Sequence, residues 1–553
     1  MKNRAFLTGL RLGSALLFFL WAATTNLNAA DCTSCHDQGP KLEKSAHTGL
    51  PCDTCHESHD TYPHPAVAKP SCTTCHQDQA GDYASGVHGQ ERKAGNEGAP
   101  DCAVCHGSAH ELLPPKSQAF RVAVPDTCGM CHSQVVDQYR ASVHGQALAR
   151  GITQAPLCTD CHGEHRIMKP SNTASPVNAS HIRDTCGSCH ADVRLTRKFG
   201  LPNDRVLSFD SSFHGLAAKA GSQTVANCAS CHGVHNILPS SDAKAMTNAK
   251  NLPTTCGRCH PGAGSRFAIS QVHVTEGHES ATLRWVRDFY LVLIPVTIGL
   301  MLLHNGGDWV RKLARARFSR TPYKQRGTRV TASAGGHDIR MLPFERVQHA
   351  VLVVSFFVLV WTGFALKYPD QWWARPLLIM EGAHSMRSLI HRVAAAIFIA
   401  VSLTHLLSLI VSRKLREHWK EMLPNANDPR EALAGFAYNM GLGDRQPTRS
   451  PHSYVEKAEY WAVVWGAVVM VATGVLLWAN NIAMKHLPKS WLDIATSVHF
   501  YEAVLATLAI VVWHFYSIIF DPDVYPLNTA FLTGVSVKKE EHSEEHAAHT
   551  AGD

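Results

Sequence analysis

The alternation of apolar and polar positions divides the chain near residue 280. Between residue 31 and that point apolar residues stand in short groups separated by links rich in Gly, Pro, Ser and Asn, and no segment carries a long amphipathic face. Short helices and loops without a substantial sheet are expected there. After it come five apolar stretches of membrane-spanning length, 285–304, 344–366, 389–412, 458–479 and 494–520. Pro295 falls within the first, a kink that bilayer helices tolerate. Another apolar run, 5–21, follows the basic residues of 1–4 and leads through small residues to Ala29 and Ala30. This pattern predicts a Sec-type export signal cleaved near Ala30, with an uncleaved anchor as the alternative. The expected fold is mainly α. A signal peptide (1–30) precedes a loop-rich region of short helices (31–280), a five-helix transmembrane bundle (281–535) and a solvated tail (536–553).

Composition sharpens the first region. Among 553 residues there are 18 Cys and 35 His. Every Cys belongs to a C-x-x-C-H motif, and there are nine. The Cys pairs are Cys32 and Cys35, Cys52 and Cys55, Cys72 and Cys75, Cys102 and Cys105, Cys128 and Cys131, Cys158 and Cys161, Cys186 and Cys189, Cys228 and Cys231, and Cys256 and Cys259. The adjoining histidines are His36, His56, His76, His106, His132, His162, His190, His232 and His260. This is the attachment signature of haem c, in which two thiols add across the vinyl groups and the histidine becomes the proximal iron ligand. Disulfides and structural zinc do not require that histidine nine times. A net charge of +7 with no basic tail points away from nucleic acid.

A second set of histidines alternates along the same region. A single histidine follows each odd-numbered motif: His47, His88, His144, His214 and His273. After each even-numbered motif a histidine stands three or four residues beyond the proximal one: His59, His110, His165 and His235. Together they equal the motifs in number, so a distal histidine is expected on every iron. Three extended residues span roughly 10 Å, too little to carry His165 around a macrocycle from His162, so the close-following histidines should serve neighbouring haems. His64, His181 and His278 receive no assignment. The odd motifs recur after 40, 56, 58 and 70 residues, which indicates duplication with insertions. Full bis-histidine ligation leaves no open iron, as suits an electron conduit, in which porphyrins supply much of the buried apolar surface.

In the bundle, basic residues follow the first and third apolar stretches, including Arg311, Lys312 and Arg315, then Arg413, Lys414 and Arg416. The positive-inside rule puts those ends in the cytoplasm and the cysteine region in the periplasm. Intramembrane histidines are costly and usually functional. His391 and His499 fall at the periplasmic level, and His349, His405 and His514 at the cytoplasmic level. In an ideal α-helix His499 and His514 are separated by roughly 22 Å along the axis and about 60° around it, suiting two stacked haems. One pair at each level would hold a b haem, with His349 and His405 as alternatives at the cytoplasmic level. His304 reads as an interfacial residue or a quinone ligand. The histidines His542, His546 and His549 read as part of a solvated acidic tail.

The stretch Phe344-Glu345-Arg346-Val347-Gln348-His349, with Gly363-Phe364-Ala365-Leu366 at the end of its apolar run, resembles the first b-haem helix of formate dehydrogenase gamma subunits. Ser388-Leu389-Ile390-His391-Arg392 resembles their next helix, and His499 with His514 their last; residues 454–461 also look like that family. The resemblance implies the pairs His391 with His499 and His349 with His514. It leaves His405 as the alternative to His349, as a quinone-site residue, or as a packed intrabundle histidine. Joined to nine haem c motifs, the whole is similar to the Cbc-type inner-membrane quinone oxidoreductases of metal-reducing bacteria. That implies two haem b, nine haem c, menaquinol as substrate, and periplasmic multihaem or small c-type cytochromes as partners in extracellular or metal respiration. The competing expectations are a membrane subunit linking a separate periplasmic dehydrogenase or reductase to the quinone pool, and a terminal reductase with one unsaturated haem.

Overall fold

The computed structural model describes residues 32–57, 64, 66, 68–268, 272–274, 279–318, 338–381, 385–443 and 453–536. The export signal, His59 and the tail beyond Ser536 lie outside the described residues. The fold is mainly α, as the apolar pattern predicts. Among the described residues the only sheet is a two-residue antiparallel pair, β1 (Asp338–Ile339) with β2 (Val535–Ser536).

By internal packing the chain forms two compact units. One comprises residues up to Thr185 together with Gly233–Leu238; the other comprises Cys186–His232 and everything from Pro239 onward. The second unit holds three Cys motifs as well as the long helices.

The first unit is built from a repeated corner. In Ser142-Val143-His144-Gly145, Ser142 ends one helix by donating to the Tyr139 carbonyl (2.6 Å) and caps the next by accepting from Gly145 N–H (3.2 Å). Gly145 has no alternative, because a Cβ there would run into the Tyr139 carbonyl. The corner leaves the histidine on the first turn of the new helix, Val143–Ala149. The tyrosine hydroxyl then pins the following loop, Tyr139 to the Pro156 carbonyl (2.9 Å) and Tyr83 to that of Pro100 (2.7 Å) in the preceding repeat. Three backbone bonds tie the single histidines to the close-following ones. Ala46, Val87 and Val143 donate to the carbonyls of Leu112, Ile167 and Ile237, each two residues after His110, His165 and His235.

In the second unit five helices are long and apolar enough to cross a membrane. They are α1 (Ala281–Phe318), α2 (Pro343–Lys367), α3 (Met386–Val411), α4 (Tyr454–Trp478) and α5 (Lys489–Ala509, continuing π-helically to Phe520). Helices α2 and α3 pack as one hairpin, α4 and α5 as another, and α1 lies on α5. Side chains such as Val292, Leu303, Leu407 and Ile410 stand outward and exposed, the pattern of helices whose solvent is lipid. Helix α1 runs past the apolar stretch that marked it. Its polar last turns are held by Lys312, which pairs with Asp308 (2.6 Å) and Asp521 (2.7 Å), and by Arg311 over the Tyr438 ring. The hydropathy signal stops there, but the helix does not.

Helix α5 corrects the angular estimate. His499 to His514 includes the π-helical stretch Ile510–His514, so the 60° of an ideal α-helix does not apply. Asn305 of α1 donates to the Val512 carbonyl (2.8 Å), within that stretch.

Candidate redox centres

At the fourth, sixth and eighth motifs the two Cys and the His occupy one helical turn, Cys102–His106, Cys158–His162 and Cys228–His232. The next residue in each case is a glycine at φ +80° to +83° (Gly107, Gly163, Gly233). This left-handed turn sends the chain away from the imidazole just before it. The close-following histidines therefore meet other motifs. His110 faces His56 at a ring-centroid distance of 5.9 Å, His165 faces His106 at 6.0 Å, and His235 faces His162 at 6.0 Å, all within 17° of parallel.

The single histidines form a more tilted class. His47 faces His76 (6.1 Å), His88 faces His132 (6.4 Å), His214 faces His260 (6.1 Å) and His273 faces His232 (6.2 Å), with interplanar angles of 31° to 37°. His36 faces His64 at 5.8 Å, a histidine that stands outside the alternating pattern. His144 belongs to the first unit and His190 to the second.

A metal about 2 Å from each of two imidazole nitrogens holds the ring centroids roughly 6 Å apart. The eight pairs span 5.8 to 6.4 Å, so each fits one iron. Among the described residues no group of three or more His, Cys, Asp or Glu is placed to hold an ion. Burial pushes His88, His106, His162, His190, His214, His232, His235 and His273 below the ordinary imidazole range. Neutral rings keep a nitrogen lone pair for a metal. Ser208 holds Nδ1 of His273 at 2.8 Å, which leaves Nε2 for that role.

Within the bundle the two hairpins repeat one plan. Glu345 and Glu456 each cap the start of their helix by accepting from a backbone N–H three residues earlier, Leu342 (2.7 Å) and Ser453 (3.3 Å). Seventeen residues after each glutamate stands a Thr-Gly pair, Thr362-Gly363 and Thr473-Gly474. Thr362 Oγ1 meets Nδ1 of His391 (2.8 Å) and Thr473 Oγ1 meets Nδ1 of His499 (2.9 Å). Each glycine lies under the histidine ring, where a Cβ would touch Cε1. Both rings are thus oriented through Nδ1, the usual support for a histidine that ligates through Nε2.

At the other level the plan diverges. Three residues after each glutamate come Gln348 and Glu459, and four after come His349 and Tyr460. His349 faces His514 at 6.4 Å, and Glu459 meets Nδ1 of His514 at 3.0 Å. His405 instead directs Nε2 to the Tyr460 hydroxyl (3.1 Å) and Nδ1 toward Gln348 (3.4 Å), edge-on to Trp419. His304 is buried and engaged on both nitrogens, with Asn305 (2.9 Å) and Tyr454 (2.6 Å). Sequence reading missed Thr362, Thr473 and Glu459, although the repeated Glu to Thr-Gly spacing carries the two threonines.

Residues 340–530, which span α2 to α5, match the family model described as prokaryotic cytochrome b561. A further similarity is to the multiheme cytochrome MtrA of Shewanella baltica (strain OS185), 34% identical over 94 residues. That match covers 17% of this chain, and the chain spans about a quarter (25%) of the relative's length. No solved structure matches. The class that emerges is a helical membrane protein of electron transport. More particularly, it joins a multihaem cytochrome c region to a cytochrome b region in one chain.

Proposed function

We propose that this chain oxidises menaquinol in the bacterial inner membrane and delivers the electrons, through two b haems and nine c haems, to periplasmic cytochromes that feed extracellular or metal respiration. The observation that carries this reading is the docking of the ninth motif on the bundle, inside the second unit. The helix Ser265–Ala268, just after that motif, packs on Asn480–His486 and α5, with Phe267 against Ala483, Met484 and Leu492. Gly262 abuts the Asn481 carbonyl so closely that a side chain would collide. The helix Phe213–Lys219, which carries His214, packs on α2, and the charge of Lys489 bears on His214. A haem between His260 and His214 would therefore adjoin the end of the bundle that holds His391 and His499.

Bound haem supplies one-electron chemistry; the protein positions it and sets its surroundings. In this reading His391 with His499 and His349 with His514 hold the b haems. The c haems take the nine proximal histidines and their distal partners. His405, Tyr460 and Gln348 form the seat for a hydroquinone. Gln348 is 8% exposed, and its Nε2 has no hydrogen-bond partner among the described residues. A ring oxygen of the substrate would satisfy that donor, while His405 accepts one of the protons released with the electrons. Basic residues after α1 and α3 support a cytoplasmic location for this level.

Anaerobic stopped-flow mixing of the oxidised protein with a menaquinol analogue tests the proposal, following b-type and c-type α bands separately. The b bands should fall into the reduced state first and the c bands should follow without another protein. If quinol reduces neither set while dithionite reduces both, direct oxidation is wrong and a separate dehydrogenase or reductase must be sought.

A further inference from the structure

We infer that His64 is the second axial ligand of the haem carried by Cys32, Cys35 and His36. The inference rests on reading the nine motifs as haem c sites and adds a ligand that the alternating histidine pattern does not contain.

The ring geometry is the first ground. His64 and His36 stand 5.8 Å apart with their planes 35° from each other. That tilt sits inside the 31° to 37° class formed by His47 with His76, His88 with His132, His214 with His260 and His273 with His232.

The ladder of pairs is the second. Each close-following histidine faces the proximal histidine of the preceding even motif: His110 faces His56, His165 faces His106, and His235 faces His162. The single histidines face forward instead, to the next odd motif, as His47 does to His76 and His88 to His132. Under this rule no single histidine is assigned to the first motif, because the forward-facing series begins at His47, after it. His59 would likewise have to serve an even motif earlier than the second. The far end shows how the ladder closes: His273, with no later odd motif ahead, turns to His232 of the eighth. Terminal repeats are expected to be irregular in this way. His64 closes the near end as His273 closes the far one.

Local sequence supplies the third ground. His64 stands between Pro63 and Pro65, and a residue before proline is confined to extended backbone. Twenty-eight residues separate His36 from His64, ample chain to pass around a porphyrin edge to its opposite face. The first haem is then closed on both faces and acts as a relay, with no open position for a substrate.

The test uses the full-length, fully haem-loaded protein and carbon monoxide, which binds reduced haem iron only where an axial position is open. His64→Ala should bind one carbon monoxide per chain more than the unaltered protein, and His59→Ala should bind none beyond it. No gain in His64→Ala, or an equal gain in His59→Ala, overturns the assignment. His64→Met provides a second readout: one c haem should remain low-spin and titrate at a higher potential, as a thioether ligand requires. An unchanged set of potentials counts against His64. Intact mass gives the number of attached haems independently. A mass short of nine haems in the unaltered protein breaks the haem reading itself, while nine haems without the His64 effects break only the ligand assignment.

Discussion

Nε2 of His405 lies 3.1 Å from the hydroxyl of Tyr460. In the internal repeat His405 corresponds to His514 and Tyr460 to His349, so one hairpin presents two facing imidazoles where the other presents an imidazole and a phenol. An iron between His349 and His514 fits the 6.4 Å separation, whereas the His405 nitrogen that would bind iron is already engaged. His349→Ala should therefore purify with one b haem instead of two by pyridine haemochrome assay. His405→Ala should keep both and lose most of its quinol-driven reduction, at least tenfold. Loss of a b haem from His405→Ala alone would reverse the assignment.

The threonines predict a change in potential. Thr362 Oγ1 donates to the Val358 carbonyl (2.6 Å), and Thr473 Oγ1 donates to that of Val469 (2.7 Å). With its one proton used, each hydroxyl must accept from the histidine Nδ1–H, which makes the imidazole a stronger donor to ferric iron. Thr362→Val or Thr473→Val removes a bond worth about 1 kcal/mol, equivalent to roughly 40 mV for one electron. Redox titration should show one b haem shifted upward by that order and the other unmoved.

Much of this was legible before the fold was known, for reasons that differ by region. The C-x-x-C-H motifs are local chemistry, so all nine stand in the sequence whatever the tertiary structure. The bundle was legible because lipid-facing helices must be apolar along their length, which left only their polar ends, such as Asp308 to Arg315 of α1, underestimated. Two things were hidden. Helical register depends on backbone hydrogen bonding that no side-chain pattern announces, so the π-helical turn before His514 was missed and the angle to His499 misjudged. Pairing between distant histidines depends on which repeat packs on which, so His64 looked idle while its partner lay 28 residues earlier at His36.

Acid should loosen the haem c region over a defined range. Burial lowers the affinity of His162 and His235 for protons, and of His106, where the neighbouring His165 adds to the effect. In the unfolded chain the same rings take up protons near the ordinary value of about 6.5. The unfolded state thus binds more protons, so the contribution of these neutral rings is complete above that value and diminishes as pH falls through it toward their lower folded values. Low-spin Soret bands should be flat from neutral pH upward. They should give way to high-spin bands only as pH falls below that ordinary value, toward the lower folded ones. Loss of low-spin character on raising the pH from 7 to 9 would contradict the sign.

Gly262 offers a way to separate the two sets of haems without touching any ligand. Its backbone lies against the Asn481 carbonyl, and two residues on, Gly264 lies near the carbonyls of Met484 and Lys485, so the chain after His260 is laid directly on Asn480–His486. A side chain at 262 cannot be accommodated by a rotamer change, because the obstacle is backbone. Gly262→Val must therefore lift the ninth motif from the bundle. Electron transfer falls steeply with distance, and a displacement of a few ångströms should slow the reduction of the c bands by quinol at least tenfold. Reduction of the b bands should keep its rate, and dithionite should still reduce every haem. Equal slowing of both sets would mean that the substitution damaged the membrane centre. An unchanged c phase would mean that electrons leave the bundle by another route than the ninth motif.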